Sequence, residues 1–316
     1  METKKKKIQI NNSATIIVLA ALIIFLAITS RTFLTMANIV NVLQQITINA
    51  IVALGMTVCI LTGGIDLSVG SVIGFAGATM AALMGDHGWG LIPTLIIGLG
   101  IGIAIGAFNG MMVAKFKIQP MIATLGTMEI GRGLTYLVCQ GRTISGFSNA
   151  FKFVGTAKIG GVFPVQVVLM LALYFIMFYI LKYRKVGRFI YFIGGNEEAT
   201  RLSGVNVIKY KTIAYAISGL MAAIAGVVLC AKLGSATANA GDGYEMDAVA
   251  SSVIGGVSLL GGFGSVWGTL MGAAIIGIIQ NGMNLLNIST YLQQVVTGAV
   301  VLIAVFIDAI KNSSKK

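Results

Sequence analysis

The chain has 316 residues, 57% of them hydrophobic and 10% charged, and its mean hydropathy is +0.92. Soluble domains carry about 25% charged residues, so this composition excludes a water-soluble protein and predicts an integral membrane protein. The formal net charge of +12 is accounted for by anionic membrane lipid and a cytoplasmic partner, so nucleic acid is not needed to explain it.

Long uncharged runs predict about ten transmembrane helices. Leu91 to Ala114, for example, is 24 residues without a charge, and about 20 apolar residues span a bilayer. The runs are apolar on all sides, unlike the alternating strands of a barrel. The fold class is therefore all-α and polytopic, with short or broken helices near residues 63–66 and 255–264. The predicted spans are 14–29, 39–62, 67–84, 91–114, 120–138, 163–181, 212–231, 248–260, 264–281 and 289–307.

The basic residues predict how these helices are oriented. If the N-terminus lies inside and the helices alternate, the inner segments hold most of the 22 Lys and Arg residues, as the positive-inside rule requires. Residues 1–13 are then a cytoplasmic basic N-terminus, residues 14–310 a single transmembrane domain, and residues 311–316 a cytoplasmic basic tail. The largest inner loop is 182–211.

The stretch "LTGGIDLSVGS" interrupts the apolar sequence between the second and third spans. We expect Gly63 and Gly64 to break the helix there, and Asp66, followed by Ser68, to cap the N–H groups of the next helix. Direct contact of Asp66 with a transported solute is the alternative. The stretch "GGVSLLGGFGSVWG" at 255–268 weakly resembles 63–74.

Glycines recur every four residues at Gly98, Gly102, Gly106 and Gly110 in one span. Small residues at this spacing let helix backbones approach closely inside a membrane. The pattern predicts tight packing of this helix. The alternative is a smooth face that slides during a transport cycle.

Catalytic chemistry is absent from the sequence. There is no G-x-x-x-x-G-K-[ST] loop to hold phosphates, and His87 is the single histidine, so no Ser-His-Asp arrangement can form. Cys59, Cys139 and Cys230 match no metal-binding spacing. We predict no catalytic residues, no metal site and no enzymatic activity in this chain.

Polar residues inside predicted spans are candidates for a translocation path, because membrane-embedded polar groups usually have a function. Glu129 and Arg132 lie three residues apart and can form an internal ion pair on one helix face. Amide side chains suit an uncharged polyol, although hydrogen bonds between helices are an equal alternative. The candidates are Gln44, Gln45, Asn49, Glu129, Asn281, Asn284 and Gln293.

The inner loop 182–211 contains a predicted short helix in "NEEATRLSGVNV". Asn196 can cap it, Glu197 and Glu198 favour its positive N-terminal end, and Gly204 can end it. We interpret this helix as a docking element for a cytoplasmic protein; an amphipathic helix lying on lipid is the alternative. The predicted docking segment comprises Gly194, Gly195, Asn196, Glu197, Glu198, Ala199, Thr200, Arg201, Leu202, Ser203 and Gly204.

Four motifs in order identify a family. "LTGGIDLSVGS", "GGNEEATRLSGVNV", "GYEMDAVASSVIGGVSLLGGFGSVWGTLMGA" and "QNGMNLLNIS" together resemble the permease subunits of bacterial ABC importers for sugars, of the ribose-permease type. The resemblance covers the chain from about Phe33 to Ile307. It also marks "GGIDLSVGS" as a family signature and the loop 182–211 as the segment that contacts the ATPase.

The resemblance implies a transport subunit in the bacterial plasma membrane. Two such subunits, expected to form a homodimer, would be driven by cytoplasmic ATPases and supplied with a monosaccharide such as ribose by an extracytoplasmic binding protein. ATP and magnesium would bind the partner ATPase, and this chain would hold no cofactor. Two rival classes remain at this point: an ion-coupled secondary transporter that uses Asp66 or Glu129, and a passive channel.

Overall fold

The computed structural model describes the backbone of residues 2–313 and the side chains of residues 15–306 and 308–310. The side chains of the predicted basic segments 1–13 and 311–316 lie outside this description. The helices are α1 (Glu2–Thr29), α2 (Met36–Leu61), α3 (Val69–Ala81, continued by a π-helical turn at Ala82–Asp86), α4 (Leu91–Ala114), α5 (Pro120–Cys139), α6 (Asn149–Thr156), α7 (Val165–Tyr183), α8 (Lys185–Gly195), α9 (Glu197–Leu202), α10 (Val207–Leu233), α11 (Tyr244–Ile254), α12 (Val266–Leu285) and α13 (Thr290–Ser313).

The all-α, polytopic prediction is confirmed, and the count of ten spans is approximate. Within the described residues, seven helices are long and apolar enough to cross a membrane: α2, α3 with its π-helical turn, α4, α7, α10, α12 and α13. The apolar part of α1, Thr15–Thr29, is shorter. Helix α5 has 20 residues and is less apolar, because it carries Glu129 and Arg132.

The predicted eighth span, residues 248–260, has the wrong bounds. Helix α11 has only 11 residues and ends at Ile254, and residues 255–264 form a loop. Gly256, Gly261, Gly262 and Gly264 all have positive φ there, a conformation that glycine adopts without strain. The expected break near 255–264 is therefore present, and the helix before it is too short to span a bilayer.

Short strands at one end of the bundle were not predicted from the sequence. Strand β1 (Ile144–Ser145) pairs antiparallel with β4 (Ser235–Ala236), and β2 (Lys158–Ile159) pairs with β3 (Phe163–Pro164). Arg142 reaches Asp86 at 2.8 Å at the same end. We call this the capped end of the bundle; α8 and α9 lie at the other end, as shown below.

Helix α2 is the central helix, and its residues from Ile46 to Leu61 are buried continuously. Three glycines of the α4 row, Gly102, Gly106 and Gly110, pack against α10, and Gly98 packs against Met80 of α3. This close packing favours the packing interpretation over a sliding face. A Cβ on Gly102 would overlap the Gly219 carbonyl and lie 2.7 Å from the Ala223 Cβ, and one on Gly110 would lie 2.6 Å from the Thr212 Cα. The backbones of α4 and α10 are therefore in contact.

This packing predicts a sharp difference between two glycines of α4. Gly102→Val should destabilise the protein by about 1–3 kcal/mol or prevent folding, because the new side chain would overlap α10. Gly100→Val is the matched control, since a Cβ at Gly100 meets nothing within 4 Å. The measurement is the melting temperature and monodisperse yield in detergent; equal values for both variants would contradict the α4–α10 contact.

Candidate functional site

The predicted docking helix in the loop 182–211 is present as α9. The Asn196 side chain accepts a hydrogen bond from the Ala199 N–H at 2.9 Å, and Gly204 has φ +82° just after the helix, so both predicted end signals are in place. Helix α8, which precedes α9, was not predicted. Its buried residues Gly187, Ile190 and Ile193 follow a three-residue spacing that sequence analysis can detect.

Glu197 fixes α9 to two other parts of the bundle. Its carboxylate accepts from Lys117 in the α4–α5 turn at 2.7 Å and from Lys211 in α10 at 2.5 Å. Partial burial alone would raise the pKa of Glu197, but the hydrogen bonds and charges of the two lysines outweigh this effect and hold the pKa below its ordinary value. Glu198 pairs with Arg201 at 2.5 Å on the exposed surface of the same helix.

Glycines of three segments meet at the C-terminal end of α8, and we call this contact the glycine junction: Gly63, Gly194–Gly195 and Gly261–Gly262. A Cβ on Gly261 would lie 2.7 Å from the Gly63 nitrogen and 2.9 Å from the Gly194 Cα, and a Cβ on Gly262 would lie 2.7 Å from the Gly195 nitrogen. The Gly262 N–H donates to the Leu61 carbonyl at 3.0 Å. Backbone thus contacts backbone where α8 meets both helix breaks.

The signature break has the expected glycine pair but a different role for Asp66. Gly63 has φ +78° and follows the end of α2, as predicted. Asp66 does not cap α3: its Oδ1 accepts from the backbone N–H of Ser68 at 3.1 Å and from the Ser68 hydroxyl at 2.6 Å. This is a local turn that ends before the helix begins, because Ser68 itself occupies the cap position of α3.

A cavity of about 800 Å³ lies between α2, α11, α12 and α13. A chain of hydrogen bonds crosses its wall: Gln45 donates to Gln280 at 3.3 Å, and Gln280 donates to Asp247 at 2.8 Å. Nearby, Asn49 donates to Ser251 at 3.1 Å. The lining residues include Gln45, Asn49, Asp242, Tyr244, Glu245, Asp247, Gln280, Thr290, Gln293, Gln294 and Thr297.

Some of the predicted path residues line this cavity, and others lie elsewhere. Gln45, Asn49 and Gln293 line it, and Asn284 accepts from Gln293 at 2.9 Å. Sequence analysis missed Asp247, which lies just before the predicted span 248–260, and Gln280, which lies within the predicted span 264–281 beside the candidate Asn281. Gln294, one of the polar residues of the last predicted span, lines the cavity beside Gln293.

The other predicted path residues lie elsewhere. Gln44 lines a second, smaller pocket of about 230 Å³ together with Lys158 and Val162. Asn281 is buried in a reciprocal amide pair with Asn38, at 3.1 and 2.9 Å, which joins α2 to α12.

The expected Glu129–Arg132 ion pair does not form. Arg132 instead reaches Asp242 at 3.3 Å and the Ala240 carbonyl at 3.0 Å, while Glu129 is exposed on the bundle surface. Arg132 turns inward to the segment before α11, where Ala240 and Asp242 lie, whereas Glu129 faces outward.

The comparisons with known proteins agree with the motifs. Residues 38–305 match the family model described as the branched-chain amino acid transport system permease component. The chain belongs to this permease family. The permease is 45% identical over 297 residues to the ribose import permease protein of Escherichia coli K12, with 92% of each chain covered. It is 44% identical to that of Haemophilus influenzae Rd, covering 93% of each chain, and 41% identical to that of Bacillus subtilis 168, covering 92% of the permease and 91% of the relative.

The family establishes the general role of the permease. It is a multi-pass protein of the bacterial inner membrane and a transport subunit of the ABC sugar importer type, as the sequence motifs predicted. This type implies ATPase and binding-protein partners.

The ion pairs of Glu197 predict a pH-dependent contribution to stability. Since the folded-state pKa is lowered, this contribution is fully present above the ordinary value of 4.5 and is lost as the pH falls through the lowered value. Glu197→Gln should therefore lower the melting temperature at pH 7 by about 1–3 °C, and this difference from wild type should shrink below pH 4.5. Glu198→Gln, in an exposed pair, is the control and should change the melting temperature little. A Glu197→Gln difference that is unchanged at low pH would contradict the ion-pair assignment.

Proposed function

We propose that this permease is the membrane-spanning subunit of an ATP-driven importer that carries a monosaccharide, ribose above all, into the bacterial cytoplasm. The proposal is carried by 41–45% identity, over more than nine-tenths of the chain, to ribose import permeases of three bacteria. An extracytoplasmic binding protein delivers the sugar, and cytoplasmic ATPases supply the energy.

The distribution of charge supports an orientation with both termini in the cytoplasm. Helices α8 and α9 lie in the basic loop 182–211, which the positive-inside rule assigns to the inner side. Lys117, bound to Glu197, places the α4–α5 turn at the same end. The capped end with β1 and β4 then faces outward, and residues 14–310 act as one transmembrane domain between basic cytoplasmic ends.

Helices α8 and α9 form the surface that contacts the partner ATPase. The sequence has no phosphate-binding loop, so ATP and magnesium bind the partner and not this chain. Glu197 holds α9 against α4–α5 and α10, and α8 ends at the glycine junction. A movement of the ATPase against this surface therefore reaches both helix breaks through direct backbone contacts.

The 800 Å³ cavity is the sugar path within one subunit. Its amides and hydroxyls can donate to and accept from sugar hydroxyl groups. Helix α11 and the loop after it connect the cavity to the glycine junction, because Tyr244 and Asp247 line the cavity while Gly261–Gly262 lie in that loop. Arg132 brings α5 beside the cavity through Asp242. Ribose passes these polar groups when the junction moves.

A second copy of this chain completes the path. Glu129 is exposed on α5, and a carboxyl group facing lipid is costly, which supports a protein or water-filled surface there. Helix α13, with Tyr291 81% exposed and Leu302 72% exposed, offers a further apolar surface for a homodimer.

Two adjacent glutamines of α2 test the path. Gln45→Leu should reduce ribose uptake at least about tenfold, because the substitution removes the amide that begins the Gln45–Gln280–Asp247 chain; the loss of one such hydrogen-bonding group is worth about 1.5 kcal/mol. Gln44→Leu is the matched control, since Gln44 lines the separate pocket, and its uptake should stay near wild type. The measurement is radiolabelled ribose uptake at equal membrane expression. Equal uptake by both variants would remove the cavity from the path.

The ATPase contact is tested at α9. The double variant Glu198→Ala and Arg201→Ala removes exposed charge and keeps helix propensity, whereas Gly204→Val strains the positive φ at the end of α9. Both variants should insert normally, lose uptake, and retain less ATPase in a pull-down. The isolated wild-type permease should show no ATP hydrolysis above background. Normal uptake by both variants would place the docking surface elsewhere, such as Lys115 to Gln119.

A further inference from the structure

The carboxyl group of Asp66 is completely buried, with no exposed surface. Its Oδ1 is bonded to Ser68, whereas its Oδ2 has no hydrogen-bond partner among the described residues. The ion pairs of the described side chains all involve other carboxylates. A buried carboxylate without a partner of opposite charge is strongly unfavourable, so the Asp66 carboxyl either carries a proton or is balanced by a cation.

Three other oxygen atoms around Asp66 are also buried and without a partner among the described residues. They are the side-chain carbonyl Oδ1 of Asn109, the Ser218 hydroxyl and the Tyr215 hydroxyl. Asn109 lies against the Asp66–Ser68 turn, because its amide donates to the Ser68 hydroxyl, and Ser218 lies near the Asp66 carboxyl. The Tyr215 hydroxyl lies against Gly64, two residues before Asp66 at the helix break.

The site is held together by two helices, α4 and α10, and by the α2–α3 break. Asn109 of α4 donates an amide hydrogen to the Ser68 hydroxyl at 2.9 Å. The side-chain carbonyl oxygen of the same amide remains available to another partner. Tyr215 and Ser218 lie one turn apart on α10 and are fully buried. The site therefore joins α4 and α10 to the α2–α3 break, and each of its four residues supplies an oxygen atom that can bind a cation.

We propose that these four oxygen atoms bind an alkali-metal cation, Na⁺ or K⁺, at the break between α2 and α3. One positive charge balances the one carboxylate, whereas a divalent ion would leave excess charge in a buried site and takes more carboxylate ligands. All-oxygen sites beside an unwound helix segment are a known arrangement for Na⁺ in membrane proteins. None of the four residues lines the 800 Å³ cavity, so the cation is a structural ligand of the break and is not transported.

The test is the melting temperature of the purified full-length permease in lipid nanodiscs. It is measured in NaCl, KCl and choline chloride at constant ionic strength, because surface charges are screened equally in the three salts. A ligand that binds only the folded state raises stability with its concentration. Wild type should melt several degrees higher in NaCl or KCl than in choline chloride, and the increase should saturate. Equal melting temperatures in all three salts would overturn the proposal in favour of a buried proton or water.

Two substitutions test whether the difference in melting temperature between salts comes from the Asp66 site. Asp66→Asn keeps the turn acceptor but removes the charge, and it should abolish the difference between salts. Asp86→Asn, which removes a carboxylate at the capped end, is the control and should retain the difference. A salt effect that survives in Asp66→Asn would overturn the site.

Two further variants keep the test decisive if Asp66→Asn fails to fold. Tyr215→Phe and Ser218→Ala each remove one donor oxygen with little change in shape. Each should raise the cation concentration for half-maximal stabilisation several-fold. Unchanged half-maximal concentrations in both variants would equally overturn the proposal.

Discussion

The hydrogen bond from the Gly262 N–H to the Leu61 carbonyl is the contact on which the two broken helix segments depend. A backbone group inside a membrane protein must find a partner within the protein, because hydrocarbon offers none. Here the carbonyl group at the end of α2 accepts a hydrogen bond from an N–H group of the loop after α11, so each segment supplies the partner of the other. The contact forms only because both segments and the end of α8 carry glycine pairs, whose missing side chains let three backbones meet.

The rest of the loop between α11 and α12 follows from the same requirement. The Ser258 N–H donates to the Phe263 carbonyl at 2.9 Å, the Leu259 N–H donates to the Asp308 carboxylate at 3.1 Å, and the Tyr191 hydroxyl donates to the Gly264 carbonyl at 2.9 Å. The partners come from the loop itself, from α13 and from α8. A segment that is irregular in conformation is thus well bonded, so movement of α8 cannot leave it unaffected.

Much of this architecture could be read from the sequence because its signals are local. Uncharged runs set the spans, the period of glycines in α4 predicted close packing, and Asn196 with Gly204 set the ends of α9. The two helix breaks were predicted from their glycines, and the weak similarity of 63–74 to 255–268 matches the two segments that meet at the glycine junction. Their contact with each other and with Gly194 could not be predicted, because no local pattern specifies which backbones meet across the bundle.

For the polar residues, by contrast, the sequence does not tell which partner or cavity each side chain faces. Gln44 and Gln45 are adjacent and chemically identical, yet one lines the large cavity and the other a separate pocket, because successive helix residues point about 100° apart and only packing decides which direction is inward. Arg132 pairs with Asp242 and not with Glu129 for a similar reason. Glu129 is only three residues away on α5, but Asp242 lies on the side of α5 that packs against the rest of the bundle. The type of residue therefore predicts that a polar group has a partner, and the arrangement of helices around α2 determines which one. In this protein that arrangement sets the amides of Gln45 and Asn49 on the α11 side of α2 and the glycine junction at its end, so α11 and the loop after it connect the cavity to the end of α8.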